Sequence, residues 1–160
     1  MMEQKALSKW LKLILLGMGI CGLAVYLMVV PSFGDSLRSQ YPEFAGRYWP
    51  WLIFIWVSGI PCYAVLVLGW RIAANIGRDA SFSLENARFL RSIAVLAALD
   101  AAYVFLGNLA MLFLDMSHPG VVLLSLLVVF AGAAVAVAAG ALSHLVRKAA
   151  LLQEENDLTI

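Results

Sequence analysis

Asp100, Tyr103, Gly107 and Asn108 draw attention first, because they recur at steps of +3, +7 and +8 through an otherwise apolar stretch. At helical periodicity those steps return to one face, so the spacing predicts a polar stripe turned toward the interior of a helix assembly. Asp100 stands eight residues past Ser92, about 12 Å along a helix and so near mid-bilayer if that helix crosses a membrane. An acid at that depth costs at least ~2.5–3.5 kcal/mol by insertion scales, and residues kept at such a cost commonly mark proton or ion paths. A path of that kind wants a second ionisable group in another span. His144 is the one candidate, and it lies near the end of its own apolar stretch. The stronger expectation for Asp100 is therefore a register-fixing hydrogen-bonded cluster, with Tyr103, Ser58, Tyr63 or the Asp100 of a second copy as partners.

Other reactive side chains give weaker signals. Cys21 and Cys62 both fall inside apolar stretches, where a free cysteine packs as a small apolar residue. Their matching depth leaves open a redox pair. His118 sits beside Pro119 and Asp115 and reads as an ordinary turn residue. No Ser/His/Asp spacing, phosphate loop, HExxH motif or metal-spaced His/Cys cluster is present, so no enzyme activity, metal or cofactor is expected.

The elements that must position these residues are legible from composition. A chain of 160 residues that is 63% hydrophobic and 13% charged departs far from soluble domains, which run near ~45–50% and ~25%. The reading is all-α: an integral membrane four-helix bundle forming one domain, 1–160, with spans at about 13–30, 49–70, 93–114 and 121–145. A cytoplasmic stalk and tail follow over 146–160. The first span follows a basic flank without a small-residue cleavage pattern, and it reads as an uncleaved helix with Gly17, Gly19 and Gly22 on a close-packing surface. Pro31 is expected to end it and to open the longest loop, 31–48. There Leu37, Tyr41, Phe44 and Tyr48 recur at helical spacing, Pro42 forbids one continuous helix, and Trp49 and Trp51 complete an aromatic belt. Pro61 lies mid-span in the second helix as a kink or hinge. Ser83 is a candidate N-cap with Glu85 in the first turn behind it. Gly132, Ala136 and Gly140, spaced by four, form a small-residue packing face in the last span.

Charge sets the expected orientation. Nine of the eleven Lys and Arg residues flank the same ends of the spans, and Arg38 and Arg47 alone lie on the other side. The positive-inside rule then places both termini in the cytoplasm. Arg78, Arg88 and Arg91 lie close to that membrane surface, while Glu154, Glu155 and Asp157 cluster at the stalk tip. Together they form a candidate partner surface, with the acidic tip suited to a basic protein. The net charge of +1 gives no reason to expect direct nucleic-acid binding.

The proline-aromatic motif Ile60-Pro61-Cys62-Tyr63, the segment Phe82-Ser83-Leu84-Glu85-Asn86 and the closing Glu155-Asn156-Asp157-Leu158-Thr159-Ile160 resemble the bacterial membrane family known as domain of unknown function 2975. The resemblance covers nearly the whole chain. It implies a cell-membrane protein without established catalysis, often encoded beside a small helix-turn-helix regulator of the Cro/repressor type. The expected function is a non-enzymatic regulatory or scaffolding membrane protein that binds such a cytoplasmic partner. The alternatives are a small transporter or channel-like protein using the Asp100 stripe, and an accessory subunit or homo-oligomer packed through the small-residue faces.

Overall fold

The computed structural model describes residues 2–117 and 119–157, and the side chains of all of these except Met2, Phe44 and Asp157. His118 and the closing Leu158-Thr159-Ile160 lie outside the described residues, as do the side chains of Phe44 and Asp157. The fold is all-α, with four helical segments long and apolar enough to cross a membrane.

The first segment corrects an expectation. Pro31 does not end the helix: α1 (Met2–Ala24) passes through a π-helical turn, Val25–Val29, into α2 (Val30–Gln40). Val29 and Val30 both keep right-handed helical dihedrals. The Val30 N–H reaches back five residues to the Val25 carbonyl, a widened turn immediately ahead of the proline ring. In that register the Tyr26 carbonyl faces Pro31, which has no N–H to give. The Trp56 indole N–H fills the gap, donating to the Tyr26 carbonyl at 2.9 Å. A neighbouring helix thus satisfies the group that proline leaves open, the usual condition for proline inside a membrane helix.

Pro42 acts as expected. Tyr41, the residue before it, leaves helical geometry at φ −128°, ψ 81° and closes α2. A 3-10 turn, Pro42–Arg47, then leads into α3 (Tyr48–Gly77), which runs unbroken past Pro61. Asp79, at φ 65°, turns the chain toward α4 (Leu84–Phe113), and Asp115, at φ 51°, turns it toward α5 (Pro119–Asp157). Proline is well placed at the first position of α5, where its missing N–H costs nothing.

The bundle is open. α1 packs on α3, α3 on α4, and α4 on α5; among the described residues α1 makes no packing contact with α4 or α5, and α3 none with α5. The α4–α5 pair is the most extensive interface. Its small side chains explain why: Gly132 leaves room for Ala101, whose Cβ would stand 3.2 Å from an added one, and Gly140 sits over Ala94. Ala139, Val146 and Ala150 are buried along the same face of α5, opposite buried Ala87, Leu90 and Val104 of α4. Spacings of three and four on both helices give the seam of a coiled-coil-like antiparallel pair. The α5 packing face is thereby occupied within the chain.

Candidate functional site

Two clusters of polar side chains stand out, one at the end of the molecule that carries the termini and one within the membrane layer. At the terminal end, Ser83 caps α4 by accepting from the Asn86 N–H at 3.2 Å, as its position predicts. Asn86 is 1% exposed, and its amide donates to the Ala80 and Ser81 carbonyls at 3.0 and 3.1 Å. Its oxygen accepts from Asn75 of α3 at 2.9 Å, and the same Asn75 amide donates to the Glu85 carboxylate at 3.0 Å. This clasp fixes the 78–83 turn. It also makes Ser83, Glu85 and Asn86, the core of the motif noted above, a structural device. Ser8 of α1 donates to the Ala73 carbonyl at 2.6 Å and Ser143 of α5 to the Ala87 carbonyl at 2.7 Å, so all four helices are tied near this end.

Beside the clasp, α4 and α5 enclose a groove of about 570 Å³ lined by Arg88, Arg91, His144 and Arg147, with Ser143 and Leu151 among its walls. Among the described residues, no carboxylate lines it. Arg88 and Arg91 are thus brought together, joined by His144 and Arg147, which the sequence reading left out of the surface. Arg78 does not line the groove; its N–H closes α3 on the Asn75 carbonyl at 3.0 Å. Glu154 and Glu155 lie exposed on the last turns of α5, which stays helical to Asp157. At 39 residues, α5 is about 58 Å long, nearly twice the ~30 Å of a hydrocarbon core.

Inside the membrane layer the expected stripe divides. Asp100 faces α3, where its Oδ2 accepts from the Cys62 thiol at 3.6 Å. Cys62 in turn accepts from the Tyr26 hydroxyl at 3.8 Å, and that hydroxyl lies 3.3 Å from Ser58 Oγ. Within the chain the partner of Asp100 is therefore Cys62, and not Tyr103, Ser58 or Tyr63. Ser58 and Tyr103 donate instead to the carbonyls of Ile55 and Phe54, and Tyr63 to that of Gly19, because a helix carbonyl lies nearer each hydroxyl. Both cysteines are free thiols, and Cys62 is engaged by Tyr26 and Asp100. Tyr103 stacks on Phe54 at 4.8 Å, over Gly107, where a Cβ would overlap the Phe54 ring. Asn108 belongs to another face: it continues the Ala97–Ala101–Val104 row that meets α5, is 1% exposed, and donates to the Val104 carbonyl at 2.8 Å. Asp100 Oδ1 and Asn108 Oδ1 are buried without a hydrogen-bond partner. No group of three His, Cys, Asp or Glu suited to a metal occurs among the described residues.

Four long apolar helices joined by buried polar ties define a multi-pass, all-α bacterial membrane protein. The chain belongs to the family described as protein of unknown function DUF2975, which it matches over residues 33–160. It is similar to the uncharacterized membrane protein YoaS of Bacillus subtilis (strain 168), at 28% identity over 154 residues, covering 94% of this chain and 96% of YoaS. No solved structure matches.

Proposed function

We propose that this protein is a non-enzymatic, regulatory or scaffolding membrane subunit that docks a cytoplasmic protein on its terminal end, with both termini in the cytoplasm. The observation that carries the reading is the unbroken α5 stalk, basic at the membrane through Arg147 and Lys148 and acidic at its tip through Glu154 and Glu155. Exposed Leu151 and Leu152 add apolar contact between the two charged zones. A small basic protein, such as a helix-turn-helix regulator, fits that order of charges. Arg88 and Arg91 extend the surface sideways through the α4–α5 groove. The sidedness of Lys and Arg supports the orientation.

The test is capture of cross-linked partners from membranes with the full chain, with residues 153–160 removed, and with Glu154→Lys/Glu155→Lys. A basic cytoplasmic protein retained by the first and lost from both variants is expected. An unchanged partner set after truncation overturns the role of the tail.

The second reading is a small transporter or channel-like function through Asp100, favoured by the unpartnered Oδ1 and the Tyr26–Cys62–Asp100 line across three helical segments. Flux into liposomes that carry the protein, abolished by Asp100→Asn, is its expected result; wild-type flux equal to that of empty liposomes sinks it.

A further inference from the structure

Opposite the clasp, at the loop end, α2, the 3-10 turn, α3 and the start of α5 enclose a small cavity of about 50 Å³. Arg38, Arg47, Tyr48, Trp51, Ser117 and Val121 are among its walls. These arginines are the two cations that fall on this side of the chain against the bias of the other nine, and both line the same cavity. Among the described residues no carboxylate lines it, although Asp35, Glu43 and Asp115 lie on the same end.

Two donors in the remaining polar lining have no partner. Ser117 is 8% exposed and its Oγ has no hydrogen-bond partner; the Trp51 Nε1–H is likewise buried and unpartnered. Buried groups of this kind are costly unless something satisfies them. Val121, in the first turn of α5, adds the positive end of a long helix. The walls are held tightly: a Cβ on Gly34 would stand 2.7 Å from the Tyr48 ring and 2.9 Å from that of Trp51. The Arg38 guanidinium lies 5.9 Å over the Tyr48 ring, which restrains it beside the cavity. One water needs ~10–15 Å³ by the same measure, so the space suits one small group and not a whole organic ligand. Two arginines, a tryptophan and a serine around such a volume carry the donors that a tetrahedral oxyanion takes. Trp49 and Trp51 place the level at the membrane boundary, where lipid phosphates lie.

We propose that the loop-end cavity is a phosphate-binding site, taking either the phosphodiester of an anionic lipid headgroup or a free phosphate. The test uses the full chain, delipidated in mild detergent. In one arm native mass spectrometry follows titration with phosphatidylglycerol; in the other a thermal-shift titration uses inorganic phosphate. Wild type is compared with Arg38→Gln/Arg47→Gln, with Ser117→Ala, and with Arg71→Gln as a control from the opposite end. One tightly retained phosphatidylglycerol assigns the lipid source; saturable stabilisation by phosphate assigns the free one. In either case the double variant should bind at least about tenfold more weakly and Ser117→Ala about three- to tenfold, the scale of losing hydrogen bonds to a charged group. The control should match wild type. Binding in neither arm, or binding unaltered in Ser117→Ala and in a folded double variant, means that the cavity holds water and overturns the proposal.

Discussion

The clasp at the terminal end and the Asp100 cluster in the membrane layer are both built from polar side chains across helix interfaces, yet their bonding differs in kind. In the clasp, Asn86 alone has three partners at 2.9–3.1 Å, with no buried side-chain atom of Asn75, Ser83 or Asn86 left open. Around Asp100 the contacts run through sulfur at 3.6 and 3.8 Å, and one carboxylate oxygen has no partner. Sulfur makes weak donors and acceptors, so the second cluster adds little beyond shape. A saturated network holds a turn; an unsaturated one keeps bonding capacity in reserve. The comparison assigns stability to the first and leaves the second free to change without loss of the fold.

Asn86→Leu breaks the clasp most directly. It removes three hydrogen bonds at a site 1% exposed, taking the Asn86 amide from the Ala80 and Ser81 carbonyls and leaving Asn75 with Glu85 alone, so a loss of about 2–4 kcal/mol is expected. Denaturant unfolding in detergent, followed by tryptophan fluorescence, measures it. A loss below about 1 kcal/mol would show that the clasp is dispensable.

Trp56→Phe tests the intermediate case, a single hydrogen bond that repairs the break at Pro31. The substitution keeps an aromatic ring and leaves the Tyr26 carbonyl open, which predicts a cost of about 1–3 kcal/mol by the same assay. Adding Pro31→Ala restores a backbone donor and should recover most of that loss. Failure of the double variant to recover would separate the indole bond from the proline.

Span number and the N-cap at Ser83 were legible because they depend on composition and on neighbours three residues apart. The continuation of the first helix past Pro31 was not, since it depends on Trp56, thirty residues beyond Tyr26. Asn75 carries no local signal either; its role exists once α3 and α4 are folded together. The Asp100 stripe was half legible. Periodicity placed four residues near one face, but α4 is packed on two sides, and Asn108 falls to the α5 side while Asp100 faces α3. Sequence spacing cannot divide a face between two neighbours before the order of packing is known. Arg38 and Arg47 stood out as exceptions in the charge count, while their shared cavity required α2 to be a helix and Ser117 to turn beneath it.

Asp100→Asn carries the smallest expected effect on the fold and the sharpest meaning for the comparison. The substitution keeps an acceptor for the Cys62 thiol and removes a carboxylate whose insertion is costly. It also places an amide where Oδ1 now lacks a partner. Folding stability should therefore stay within about 0.5 kcal/mol of wild type or rise slightly, well below the change at Asn86. A destabilisation comparable to Asn86→Leu would show that the carboxylate is a structural tie after all. Unchanged stability together with a changed liposome flux would instead identify the open oxygen as a working group. Unchanged stability with unchanged partner capture would separate Asp100 from the docking proposed for the terminal end.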